Sequence, residues 1–279
     1  MARSKSLKAS SVKELNTKNI LDIIRKHGPI SRIEIAEITG LTPATITNIT
    51  SELIDNKLII EGEAGDSSGG RRPIMLKIRG DYYRVIGIYI GSKKIRIITA
   101  DLMANIKLKR EIRYDTDKVT VEYIKELLDK ELVPIISKYK LKNKEIIGIG
   151  IGIHGIVDSD QGISVMAPNL GWKNVNIKKI IYDSYGIPVY IDNNTRTMGL
   201  GENWFGSGKN ASSFFCLNVE YGVGGSFFIN DKPVAGNSFG AGEIGHTTVD
   251  INGEICSCGN KGCLETVASV KGFFLGVFC

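Results

Sequence analysis

Gly240-Ala-Gly-Glu-Ile-Gly-His246, followed by Cys256-Ser-Cys258-Gly-Asn-Lys-Gly-Cys263-Leu-Glu265, is the stretch on which the reading of the whole chain turns. One imidazole and three thiols, His246 with Cys256, Cys258 and Cys263, are the number and type of ligands that close a tetrahedral structural Zn2+ site. Gly259 and Gly262 give the chain freedom to wrap an ion. Taken alone, the Cys-x-Cys-x4-Cys run is also compatible with three unrelated thiols; disulfides are disfavoured, because no secretory signal precedes them. The Gly-x-Gly-Glu-x-Gly-His segment upstream makes the combination more specific than either half.

The chain has 279 residues, enough for two or three domains, and a composition ordinary for a globular protein. Its opening Met1–Ser10 is basic and polar, unlike a signal peptide, so the cytoplasm is the expected compartment. The longest apolar run, Ile146–Val157, is interrupted by four glycines and His154 and is too short to span a bilayer, so no membrane partner is expected. Residues 1–80 carry 13 Lys+Arg against 9 Asp+Glu, a net of +4 out of the +6 of the whole chain. The surplus at the N-terminus suits a segment that meets phosphates, and is also a common aid to solubility.

Residues 17–58 read as three short helices. Ile20, Leu21, Ile23 and Ile24 give the first an apolar face, and Gly28-Pro29 ends it. Ser31 and Glu34 form a capping box for the second, which carries Ile35, Ala36 and Ile38. After a turn at Gly40, Thr42-Pro43 caps the third, with Ile46, Ile49 and Leu53 on one face and Thr45, Thr47, Asn48 and Ser51 on the other. Two helices joined at a glycine, the second presenting small hydrogen-bonding residues, describe a helix-turn-helix whose recognition helix enters the major groove. The competing reading is a three-helix bundle with a merely solvated polar face. Against it stands the next stretch: Leu58–Ile60, a Gly/Ser-rich turn at Gly65–Gly70, Arg71-Arg72-Pro73 and the alternating Ile74–Ile78 make a β-hairpin wing with two arginines at its tip, suited to phosphate or minor-groove contact. Operator DNA is the expected partner, touched by Thr42, Thr45, Thr47, Asn48, Ser51, Arg71 and Arg72.

Beyond Gly80 the pattern turns to strands at Val85–Gly91, Ile95–Asp101 and Ile106–Tyr114, a helix from about Val119 to Tyr139 compromised by Pro134, and a strand at Ile146–Ile153. Cys216 reads as an inert core thiol. His154, in a turn, has no motif around it and reads as a residue that packs or hydrogen-bonds locally, and His27 as a complement to the negative end of the first helix.

The Gly240–Glu265 signature, together with the wing Gly69-Gly-Arg-Arg-Pro73, resembles the ROK family of sugar kinases and sugar-responsive repressors, and specifically its repressor branch. Among the branches the similarity is greatest to the xylose repressors. The resemblance implies an N-terminal winged helix-turn-helix followed by an α/β ribonuclease-H-like, two-lobed domain of the actin and sugar-kinase type. The expected boundaries are 1–80 for the DNA-binding domain, 81–190 for the first lobe and 191–279 for the second, with the zinc motif in the second lobe. Gly222–Gly225 looks like the hairpin with which the second lobe repeats the first. The resemblance further implies a monosaccharide effector, xylose by overall similarity, held by Asn169, Asn193, Asn194, Glu243, His246 and Glu265, and a homodimer or higher homo-oligomer. For Glu243 and Glu265 a second role stays open, that of orienting the zinc ligands.

Where kinases of the family carry an Asp-x-Gly-Gly-Thr turn, this chain has Tyr89-Ile-Gly-Ser-Lys93, and where they carry a base aspartate it has Asn194. An amide cannot accept the proton of a sugar hydroxyl, so no kinase activity is expected. The alternatives are a ROK-type sugar kinase with a DNA-binding extension, or a DNA-binding protein indifferent to sugar. Members of the repressor branch continue well past the last stretch here, Val270–Cys279, which lacks an amphipathic pattern. A truncated or frameshifted product with an incomplete second lobe, prone to exposing core surface, is the expectation.

Overall fold

The computed structural model describes residues 9–64, 72–114, 119–141, 145–270 and 272. They divide into two compact units, residues 1–83 with 101–105 and residues 84–100 with 106–279. The turn 65–70, Arg71 and the tail 273–279 lie outside the described residues.

In the first unit, α1 (Ala9–His27) is followed by β1 (Ile30–Ser31), α2 (Arg32–Thr39), α3 (Pro43–Asp55), β2 (Ile59–Ala64) and β3 (Ile74–Ile78). The first helix is longer than its apolar pattern suggests. Thr17, where the expected helical range begins, lies inside α1 and bonds back to the Lys13 carbonyl at 2.9 Å, and Lys13 pairs with Glu52 at 2.6 Å. The other caps form as their residue types dictate. The Ser31 hydroxyl accepts from the Glu34 N–H at 3.2 Å, while the Glu34 carboxylate accepts from the Ser31 N–H at 2.8 Å. Gly40 ends α2 at φ 69°, and Thr42 accepts from the Thr45 N–H at the start of α3. Ile20, Ile24, Ile35, Ile46, Ile59 and Leu76 are fully buried between the helices and the wing. Strand β3 is central to a three-stranded antiparallel sheet in the order β1-β3-β2. The side chain of Arg32 ties α2 to α3 and the wing, donating to Thr50 Oγ1 and Glu61 Oε1.

The second unit opens with an antiparallel meander of β4 (Tyr83–Ile90), β5 (Lys94–Ala100) and β6 (Ile106–Arg113), then α4 (Val121–Leu141) and β7 (Glu145–Ile153). The expected helix runs on through Pro134, because Leu128, Leu132, Ile135 and Ile136 on either side of it are buried against the sheet, and packing outweighs the missing backbone bond. Next come β8 (Ile156–Asp158), β9 (Ile163–Ala167), β10 (Trp172–Val175), α5 (Ile177–Tyr185) and β11 (Val189–Asn193). Strand β11 runs parallel to β7 and completes a five-stranded mixed sheet in the order β11-β7-β4-β5-β6. The inward alternation of β4 buries Ile86, Ile88 and Ile90 in the same core as α4 and α5.

A second sheet follows α6 (Asn194–Phe205): β12 (Ser213–Val219), β13 (Val223–Ile229) and β14 (Lys232–Pro233), antiparallel in that order, with α7 (Leu264–Ala268) near the end of the described chain. Among the described residues no helix is long and apolar enough to cross a membrane.

Candidate functional site

The residues of Gly240–His246 reach their positions by lying flush against β13. A Cβ on Gly242 would stand 2.0 Å from the Gly225 carbonyl oxygen, and one on Gly245 would stand 2.0 Å from that of Val223. Only glycine fits at either place, and the Gly225 N–H donates to the Gly242 carbonyl across this contact at 2.8 Å. The close approach places Glu243 and His246 beside Glu265, whose Oε2 accepts from the Val223 N–H at 2.9 Å.

His246, Cys256, Cys258 and Cys263 converge, their ligand atoms all within 4.8 Å of one another. The Cys258 and Cys263 sulfurs are 3.8 Å apart, and His246 Nδ1 is 3.6 Å from Cys256 Sγ. Zinc–sulfur bonds of about 2.3 Å in a tetrahedron put neighbouring sulfurs about 3.8 Å apart, so the donor set fits zinc in both chemistry and size. Gly259 and Gly262 take positive φ, 89° and 67°, where the chain bends round the cluster. Burial opposes ionisation of Cys256, but the Cys258 backbone and the side chains of Cys258, His246 and Cys263 overcome it and bring the thiol down to about 7. Cys263 goes the other way, to about 11, through burial and the neighbouring sulfurs: close thiols do not all ionise together without a cation.

His246 belongs to two environments. Its Nδ1 faces the thiols, while Nε2 lies 3.8 Å from Glu243 Oε2. Glu243 thus stands behind the histidine and also lines a polar cleft with Asn169, Asn193, Asn194, His246 and Glu265, the six sugar candidates. Burial raises the Glu243 carboxyl above its ordinary range, with Glu265 adding to the effect and His246 and Arg196 opposing it. The cavity volume is about 110 Å³, many times the 10–15 Å³ or so that one water needs, so the cleft admits a small polar molecule.

The end of β11 shapes the floor. Asn193 caps α6, its Oδ1 accepting from the Thr195 and Arg196 N–H groups and its Nδ2 donating to the Gly155 carbonyl at 2.8 Å. Its side-chain carbonyl is therefore engaged by the helix start, whereas no such cap is made by the Asn194 side chain. Asp192 faces away as the strand alternation requires and pairs with Arg196, which is 2% exposed and also donates to the Phe239 and Val157 carbonyls.

His154 is the residue that the sequence reading set aside. The structure packs its ring nitrogens out of solvent, near the Ile90 backbone, and at the same time makes it part of the cleft wall. Glu220, Tyr221, Asn218 and Lys94 were likewise missed: each lines the cleft opposite or beside Tyr89, and only the β12–β13 hairpin signal at Gly222–Gly225 hinted at them.

On α3, Thr47, Asn48 and Ser51 are exposed and Thr45 half-buried. Thr42 and Thr45 share a hydroxyl contact at 2.9 Å, and Thr47 bonds back to the Pro43 carbonyl at 2.8 Å. These hydroxyls have local partners, which leaves Asn48 and Ser51 the better placed to reach outward. Arg72 is exposed on the wing; Arg71 lies outside the described residues.

The family model described as "ROK family" matches residues 85–275, and one for a winged helix-turn-helix DNA-binding domain matches residues 14–60. A putative xylose repressor of Caldicellulosiruptor sp. (strain Rt8B.4) is 38% identical over 93% of this chain and 65% of its own length. A ROK family transcriptional regulator of solved structure, described as a homologue of the E. coli MLC protein, aligns at a TM-score of 0.83 with 29% identity, over 96% of this chain and 67% of that one. A ROK family glucokinase from Streptomyces griseus, solved with glucose and AMPPNP, aligns at 0.61 with 28% identity, over 68% and 58%. The fold is an N-terminal winged helix-turn-helix joined to a ROK domain of the sugar-kinase type, and the chain belongs to the ROK family. It spans 65% of the length of the first-mentioned curated relative.

Proposed function

We propose that this chain acts in a sugar-responsive transcriptional repressor of carbohydrate utilisation, with xylose as the first effector to test. The observation that carries this reading is the coexistence in one chain of a capped helix on which Asn48 and Ser51 are exposed, and a polar cleft lined by Asn194, the residue that the family resemblance assigns to the position of the kinase base. The chain's similarity to a putative xylose repressor points to the pentose.

Contacts from Thr42, Thr45, Thr47, Asn48, Ser51, Arg71 and Arg72 would divide between base edges and phosphates, the arginines serving the backbone. In the cleft, carboxylates at Glu243 and Glu265 accept from sugar hydroxyls, and the amides of Asn169 and Asn194 supply donors. Zinc would be held by His246, Cys256, Cys258 and Cys263. Bound there, it supplies a rigid structural crosslink and no reaction step, and His246 carries that rigidity into the cleft. Effector binding that favours one arrangement of the protein over another releases DNA in proportion to its differential affinity. A palindromic operator read by a homodimer in the cytoplasm completes the proposal, with domains at 1–80, 81–190 and 191–279.

The test is fluorescence anisotropy of labelled DNA from upstream of the gene and of neighbouring sugar-utilisation genes, with and without D-xylose, at two salt concentrations. Specific binding lost on adding D-xylose is the expected result. Binding indifferent to sugar would leave only the DNA-binding half of the proposal. Transfer of phosphate from ATP to a sugar by the unmodified chain would overturn the non-enzyme reading, whereas its gain only on Asn194→Asp would support it.

A further inference from the structure

Among the described residues, His154 is a largely buried ionisable side chain that no interaction so far described uses. His154 follows β7 at the foot of the cleft, and both of its ring nitrogens are shut off from bulk water with no hydrogen bond of good geometry, although the Ile90 backbone lies near the ring. Unpaired buried polar atoms are uncommon, and each calls for an account. The backbone here is fixed from two sides. Gly155 sits at φ 89°, where a Cβ would stand 2.1 Å from the Met166 carbonyl oxygen, and the Gly155 carbonyl accepts from Asn193 Nδ2 at 2.8 Å. The imidazole is therefore held beside the same Asn193–Asn194 corner that closes the cleft floor.

We infer that His154 is a ligand-contacting residue of the cleft, which pairs its ring nitrogen with one hydroxyl of a bound monosaccharide and so sets which hydroxyl pattern the cleft accepts. This rests on the sugar-cleft reading above and deepens it. A half-turn of the ring about Cβ–Cγ exchanges each nitrogen with a ring carbon at no cost in volume, so either edge of the ring can carry a nitrogen within the existing packing. Burial pulls the imidazole down to about 4, opposed by the nearby Ile90 backbone, so the ring is neutral near pH 7 and offers one N–H donor and one bare acceptor. That balance matches a hydroxyl, which also gives and takes one bond. It complements the rest of the wall: Glu243 and Glu265 only accept when ionised, so a ligand with several hydroxyls needs donors elsewhere for its lone pairs. A site with such buried polar groups rejects analogues that leave them unpaired.

The experiment is calorimetric titration of the full chain, zinc-loaded, with D-xylose and with each of its monodeoxy analogues, for wild type, His154→Phe, His154→Gln and Asn194→Ala. His154→Phe is expected to weaken D-xylose binding about 10-fold or more without lowering the melting temperature of the unliganded protein, and His154→Gln to recover part of the loss. One deoxy analogue should bind wild type as weakly as D-xylose binds His154→Phe, and that variant should lose nothing further with it. Should His154→Phe not fold, the same cycle is read with His154→Gln. Unchanged D-xylose affinity in the variants, or an equal penalty against every analogue, would overturn the inference while Asn194→Ala still reports on the cleft. If wild type binds none of these sugars, the sugar-cleft reading itself falls, and the inference with it.

Discussion

The Tyr89 hydroxyl donates to Glu220 Oε2 at 3.2 Å, joining the five-stranded sheet to the β12–β13 hairpin across the mouth of the cleft. Lys94 stands 3.7 Å from the other oxygen of Glu220, and the Lys93 ammonium lies 5.1 Å from the centroid of the Tyr221 ring. Burial, with Glu220 reinforcing it and Arg96 opposing it, pushes the phenol up to about 12, so Tyr89 remains a donor throughout the physiological range. A residue first read only as a lost aspartate thus has a structural duty of its own.

Tyr89→Phe should lower unfolding stability by about 1 kcal/mol in urea denaturation, the net worth of a partly exposed hydrogen bond to a charged acceptor. Glu220→Gln should cost a similar amount. Because both remove one contact, the double variant should be less unstable than the sum of the two, and additivity within about 0.3 kcal/mol would show that the pair is not coupled.

Arg196→Met should be the most damaging single change in the second unit, roughly 3–5 kcal/mol, since it leaves the Asp192 carboxylate and the Val157 and Phe239 carbonyls without their buried cation. Arg196→Lys should not rescue it, because an ammonium cannot reach three acceptors as the guanidinium fork does. A melting temperature for the lysine variant equal to that of wild type would refute the argument from fork geometry.

Zinc content measured by atomic emission should be about one ion per chain and fall on Cys256→Ser or Cys263→Ala. Treatment with a strong chelator should lower the melting temperature and increase proteolysis within residues 247–262 before the first unit is cut, because these residues have few buried apolar side chains of their own. A metal-free preparation with an unaltered melting curve would dispose of the structural-zinc proposal.

The depressed imidazole of His154 makes stability depend on pH in a defined direction. Its unfolded value is 6.5 and its folded value about 4, so between these the unfolded chain binds the extra proton. The contribution is present above about pH 6.5 and is lost as pH falls towards 4, amounting at the limit to about 3 kcal/mol. Subtracting the curve of His154→Phe removes the contribution of the thiols and carboxylates common to both proteins. A difference that stays flat from pH 7 to 4.5 would mean that His154 is not buried as described.

Much of the first unit was legible in the residues because its signals are local. Ser31 with Glu34, Gly40 and Thr42-Pro43 each act within a single helical turn, and their caps form as read. The start of α1 was not legible, since Thr17 is equally competent as a cap or as a back-bonding residue inside a helix. At Pro134 the helical pattern on both sides was legible, but how little the proline costs was not, because its local penalty is overruled by the leucines and isoleucines that anchor α4 to a sheet distant in sequence.

What the sequence by itself determined is the set of devices whose partners lie within a few residues: the helix caps, the alternation that sends Asp192 away from the cleft, and the grouping of three thiols with a histidine close upstream. What only the tertiary structure decided is every relationship across long loops. It alone shows that Gly242 and Gly245 are required by the carbonyls of β13, that Tyr89 meets Glu220, and that Asn193 divides its amide between α6 and Gly155. It also decided the place of His154, which no motif marks. A side chain's hydrogen-bonding needs are fixed by its chemistry, but whether they are met depends on what folding brings beside it, and for His154 folding brings the Ile90 backbone on one side and the cleft on the other.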